Sequence, residues 1–64
     1  MLKSDIIKEI RYAVKWLNKN GGEVEVLEMM RRHRLLNLRS LDNRTKAELE
    51  TIYDELDNVM TRYQ

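Results

Sequence analysis

The chain's only two glycines stand side by side at Gly21 and Gly22, and it has no proline. With a single strong break, the rest of the chain is free to run as helices, and the apolar residues on both sides recur at helical spacing. Before the break, Ile6, Ile7, Ile10, Ala13, Val14 and Leu17 form one amphipathic stripe. Ser4 is placed to cap this first helix, and Asp5 in its first turn suits the positive end of the dipole. The run from Asn18 to Gly22 ends it, because Asn and Gly tolerate the left-handed backbone of a helix C-cap.

After the break the pattern is less decided. As a strand, Glu23-Val24-Glu25-Val26 alternates neatly but is short. As a helix over 24–36, the same segment gathers Val26, Leu27, Met29, Met30, His33 and Leu36 on one broad face and sets Glu28 one turn ahead of Arg32. The helix is the expected form. The run from Asn37 to Arg44 then interrupts the periodicity, with Leu38 and Leu41 expected to tuck against the core. Thr45 opens a last helix with the capping box Thr45-x-x-Glu48. Within it Leu49, Ile52, Leu56, Val59 and Tyr63 recur at alternating steps of three and four, a two-heptad seam flanked by Tyr53 and Met60. These elements predict a single all-α domain over 1–64, a small three-helix bundle whose neighbours run antiparallel through short connections.

Size limits what such a bundle can do. With 64 residues, a chain hides only about 60% of the surface it exposes when unfolded, and its core supplies about 3–5 kcal/mol. Having no cysteine, it has neither disulfides nor thiolate metal sites. The lone His33 cannot build a zinc site without several carboxylates beside it. Oligomerisation through the seam of Leu49, Ile52, Leu56, Val59 and Tyr63 is therefore expected to complete the fold, as a homodimer or a helical tetramer with Leu56 near the interface. No apolar run is long enough for a membrane span, and the first residues lack the apolar stretch of a signal peptide. A cytoplasmic protein without cofactor, metal or small-molecule substrate is the expectation.

The formal net charge of +1 conceals strong segregation. From Arg31 to Lys46 the chain carries five arginines, one lysine and the single acid Asp42, whereas Glu48 to Asp57 carries five acids and no base. On the first helix, Lys8, Arg11, Lys15 and Lys19 oppose the isoleucine stripe, with Tyr12 and Trp16 along its margin. Three uses of the arginines compete. They can answer the chain's own acidic helix, whose Glu50 and Asp54 repel one another at i,i+4. Phosphates are a second use, with Tyr12 and Trp16 stacking on bases, although a pI near 8.1 falls short of the footprint above about 9 that marks a dedicated nucleic-acid binder. A third is an acidic protein partner, since Trp, Tyr and Arg are the residues of interface hot spots.

Individual residues add little chemistry. His33 and the pair Met29 and Met30 read as core residues, and Asp54, Glu55 and Asp57 form no pocket by sequence. A carboxylate acting as general acid or base has to be desolvated or coupled to another, and nothing in the pattern requires that.

Two local resemblances cover parts of the chain. Residues 53–64 resemble the C-terminal helix of a family of small two-helix phosphatases that act on response regulators. That family's signature is Ser-Gln-Glu-Leu-Asp; Glu55, Leu56 and Asp57 agree, whereas Tyr53 and Asp54 replace the serine and glutamine, so the activity is not carried over. The rhythm from Val26 through Leu49 is similar to helix-extension-helix nucleic-acid modules of the SAP and Rho N-terminal type. Those place an extended leucine-bearing segment between two short helices. This chain has extra residues from Asp42 to Thr45 and lacks the usual glycine after the first helix.

The resulting expectation is a non-enzymatic regulatory or adaptor protein, of a size that suits a phage- or plasmid-encoded regulator, that binds another macromolecule and foremost a protein. The alternative is a nucleic-acid-binding regulator. For either, the candidate contact residues are Arg31, Arg32, Arg34 and Arg39 with Lys8, Arg11, Lys15, Tyr12 and Trp16.

Overall fold

The computed structural model describes residues 2–64 and contains, among them, helices and no strand. Helix α1 spans Lys3–Lys19, α2 spans Glu23–Arg32, a 3-10 helix covers Leu38–Asn43, and α3 spans Lys46–Tyr63.

Helix α1 begins earlier than Ser4 would dictate. The Leu2 carbonyl already accepts the Asp5 and Ile6 amides at 3.0 and 3.1 Å, so Leu2 is the N-cap without a side-chain bond and Ser4 lies inside the first turn. Lys3 fixes this end by donating to the Asp42 carbonyl at 2.9 Å. The stripe packs as expected at Ile6, Ile10, Ala13, Val14 and Leu17, with Ile7 only partly covered. At the other end Asn20 is the C-cap and Gly21 takes φ +89°. Gly22 then donates to the Leu17 carbonyl at 2.7 Å. Gly22 lies so close to the core that an added Cβ would stand 2.8 Å from Leu17 Cδ2.

Helix α2 starts at Glu23, settling the strand alternative, but it stops at Arg32 rather than continuing to Leu36. A Schellman closure ends it. Arg34 donates to the Arg31 carbonyl at 3.2 Å and Leu35 to the Met30 carbonyl at 2.8 Å, with Arg34 at φ 56° in the position that glycine usually fills. This reversal swings Leu35 into the core in place of Leu36, which is 93% exposed. Leu27 likewise points outward, so the buried face of α2 is the narrower set Val26 and Met29 with half-buried Met30.

Asn37 caps the 3-10 helix, its Oδ1 accepting from the Arg39 amide at 2.9 Å. Leu41 is fully buried there and Leu38 packs at its edge. The leucine-bearing segment is thus helical, not the extended strand of a helix-extension-helix module. Thr45 and Glu48 form the anticipated capping box at the start of α3, with the Glu48 amide donating to Thr45 Oγ1 at 3.2 Å.

Contacts fix an up-down-up bundle. Tyr63 at the end of α3 donates to Glu25 near the start of α2, while Arg32 at the end of α2 meets Glu55 in mid-α3, so these two helices are antiparallel. Ile6 and Glu9 lie beside Glu50, Tyr53 and Asp54, and Lys3 reaches the segment just before α3, so α1 and α3 run parallel. The core lies between them, closed by α2 and the 3-10 helix. It is wholly apolar: no polar or charged side chain is buried among the described residues.

The heptad seam is consumed inside this core. Leu49, Ile52 and Leu56 are fully buried and Val59 nearly so within the one chain, and only Tyr63 is exposed. The narrow pattern on α3 is what α1 and α2 require of it. A second copy therefore cannot be reached through Leu56 while the chain stays folded.

Candidate interaction surface

The acidic helix satisfies part of the arginine cluster. Glu55 accepts from Arg32 at 3.1 Å, and His33 Nε2 lies 3.1 Å from the same oxygen. Arg44 bridges two elements, donating to the Arg34 carbonyl at 3.0 Å and standing 3.8 Å from Glu48. These contacts account for Arg32, His33 and Arg44 as braces between the α2 end and α3. Burial disfavours the Glu55 carboxylate, but the hydrogen bonds from Arg32 and His33 outweigh it and leave its pKa lowered. A lowered folded pKa means that folding favours the ionised form. Its contribution is present above the unfolded value near 4.5 and is lost as pH falls through the lower folded value. Glu55→Gln is accordingly expected to cost no more than about 1 kcal/mol at neutral pH, since the pair is partly solvated. Urea titrations in acid should show that difference from the unsubstituted chain vanishing.

The remaining arginines, Arg31, Arg34 and Arg39, are exposed and have no ion pair among the described residues. Arg34 and Arg39 flank Leu36 in the chain, with Arg31 in the last turn of α2, and Leu36 is exposed on the segment after α2. Along the outer face of α2, Val24 and Leu27 are also exposed, at 64% and 62%, and at helical spacing they lead to Arg31. The outer face of α2 and the segment that follows it therefore expose three apolar side chains and three guanidinium groups without an ion pair. The arginines were legible in the sequence. The outward positions of Leu27 and Leu36 were not, because a helix over 24–36 gathers both on the apolar face.

The turn itself is conformationally costly. A non-glycine residue in the left-handed region is disfavoured by about 1–2 kcal/mol, against which glycine loses more backbone entropy on folding. Arg34→Gly is thus expected to stabilise the chain by about 0.5–1 kcal/mol and raise its melting temperature by a few degrees, read by circular dichroism.

Four of the α1 residues line a cleft of their own. Tyr12 is 62% exposed, Trp16 is half-buried with its body against the core, and together with Lys15 and Lys19 they line a shallow cleft of about 280 Å³. Lys8 and Arg11 are exposed on the same helix and do not line that cleft, nor do any of the arginines of 31–39.

No family model, curated protein or solved structure matches this chain. What it does has to be argued from its surfaces. Among the described residues no group of three or more His, Asp or Glu could hold a metal ion, and no helix is long and apolar enough to cross a membrane.

Proposed function

We propose that this chain is a small non-enzymatic adaptor or regulator that binds another protein through the outer face of α2 and the turn that follows it. One observation carries the reading: Leu36 is 93% exposed, raised on a turn between arginines that have no partner in the chain. An exposed apolar side chain with unpaired arginines close to it in the chain is suited to a protein surface that offers an apolar pocket with acidic edges. Val24 and Leu27 extend the same contact along the helix. A phosphate backbone offers nothing to these three apolar residues. The absence of catalysis is part of the reading: Glu55, the most enclosed carboxylate in the ion-pair cluster, is held ionised by hydrogen bonds, the reverse of what a general acid needs.

Affinity capture with the tagged chain, with and without nuclease, tests it. A specific protein retained by the unsubstituted chain, insensitive to nuclease and lost from both Leu27→Ser and Leu36→Ser, is the expected result. Both positions are exposed, so the fold is not at issue. Retention by both variants would overturn the reading.

The cleft of Tyr12, Lys15, Trp16 and Lys19 supports a second reading, in which nucleic acid stacks on the aromatic rings. If the three free arginines also contacted duplex phosphates, the log–log salt slope would be about −2.7. Anisotropy titrations with duplex and single-stranded oligonucleotides decide between the readings. Submicromolar binding that persists at physiological salt would favour nucleic acid; weak, salt-sensitive binding favours the protein partner.

A further inference from the structure

A second cleft, of about 630 Å³, opens between the first turns of α1 and the middle of α3, lined by Ile6, Glu9, Glu50, Tyr53 and Asp54. Its base is apolar, made by the edge of Ile6 and the half-buried ring of Tyr53. Its rim is acidic, and Glu9, Glu50 and Asp54 have no ion pair among the described residues. Burial pushes the Tyr53 phenol up, and the carboxylates of Asp57, Glu9 and Asp54 add to that effect. Several negative charges therefore converge on one aromatic ring. Sequence reasoning missed this cleft, because Glu9 is distant in the chain from Glu50 and Asp54 and only the parallel packing of α1 on α3 brings them together.

The turn after α2 has the complementary form. Leu36 is an apolar knob, and Arg31, Arg34 and Arg39, near it in the chain, are exposed cations without an ion pair among the described residues. Knob and cations match the base and rim of the cleft in polarity and in charge. We infer that the Leu36 turn of one copy docks into the Glu9–Glu50–Asp54 cleft of a second copy of this chain. Leu36 enters beside Tyr53, and the guanidinium groups meet the rim carboxylates, their aliphatic stems covering the apolar margin. Knob and cleft are different patches of the same chain, so two copies can exchange turns about a two-fold axis as an isologous dimer, or each can pass its turn to the next in a heterologous, head-to-tail contact. This inference rests on the reading of the Leu36 turn as a docking surface and names its partner. It differs from a heptad dimer, which would use residues that are already buried.

Sedimentation velocity on the full chain, from micromolar to millimolar concentration, tests it with two surface variants. Leu36→Ser removes the knob and keeps the cleft; Glu50→Lys with Asp54→Lys reverses the rim and keeps the knob. The unsubstituted chain is expected to self-associate, more weakly as salt rises. Each variant alone should have its dissociation constant raised at least about tenfold. An equimolar mixture of the two should associate again, because one intact turn then meets one intact cleft. Circular dichroism checks that both variants remain folded. A monomeric unsubstituted chain at millimolar concentration, association unchanged by either variant, or a mixture that stays monomeric would each overturn the inference. If self-association fails while Leu36→Ser still loses a captured protein, self-docking falls and the docking surface stands. If instead capture is indifferent to Leu36→Ser and the mixture associates, the self-contact stands without the foreign partner.

Discussion

Replacing Leu56 with aspartate is expected to unfold the chain, not to separate a folded dimer into folded monomers. Leu56 is fully buried in a core without a single polar side chain, so the new carboxylate would meet neither cation nor hydrogen-bond donor. Burial of an unpaired charge costs several kcal/mol after relaxation, comparable to or above the roughly 3–5 kcal/mol that a core of this size supplies. Loss of the leucine's apolar contacts adds about 2–5 kcal/mol. Far-ultraviolet circular dichroism should show most of the helical signal gone at room temperature. A variant that kept its helical signal and a monomeric sedimentation coefficient would return Leu56 to an intermolecular interface. Leu36→Ser provides the contrast: at a position 93% exposed, the helical signal and melting temperature should scarcely change while self-association weakens at least about tenfold.

The difference between Leu56 and Leu36 shows what periodicity can and cannot disclose. The seam on α3 and the stripe on α1 were legible because long helices repeat one face many times, and because Thr45 and Glu48 mark an end by their own side-chain bonds. The side of a seam, toward its own chain or another, is not in the pattern. It depends on whether α1 and α2 bring enough apolar surface to cover it, and they do. The Leu36 error has a more local cause. Nothing in Arg-Arg-His-Arg-Leu-Leu breaks a helix by propensity, and the residue that turns the chain is an arginine in the left-handed conformation, where sequence rules look for glycine or asparagine. That single backbone choice exchanges Leu35 for Leu36 in the core and exposes the knob. Ser4 failed for the opposite reason: a good capping residue stood two positions inside a helix whose first carbonyl partner is Leu2. The charge segregation was plain in the sequence, but its division into Arg32 and Arg44, which brace α3, and Arg31, Arg34 and Arg39, which do not, required the fold.

The second large effect falls on a residue outside the three α-helices. Leu41→Ala should destabilise the chain by about 2–5 kcal/mol, as for truncation of other fully buried leucines. The connection between α2 and α3 would ordinarily be tolerant ground, since loops lie on the surface and carry few core contacts. Here it does not behave as a loop. Leu41 has no exposed surface, the Arg44 amide donates to its carbonyl at 3.1 Å, and the neighbouring Asp42 carbonyl receives Lys3 from the start of α1. The 3-10 helix therefore closes the end of the bundle where α1 and α3 begin, and a cavity there cannot collapse without pulling on both helices. With the margin of a small core, the loss should leave a large unfolded fraction at room temperature and shift the urea midpoint strongly downward. Leu38→Ala, at a half-buried position on the same short helix, should cost distinctly less. Equal, small losses at the two positions would mean that the segment is a solvated linker and that α1, α2 and α3 hold together without it.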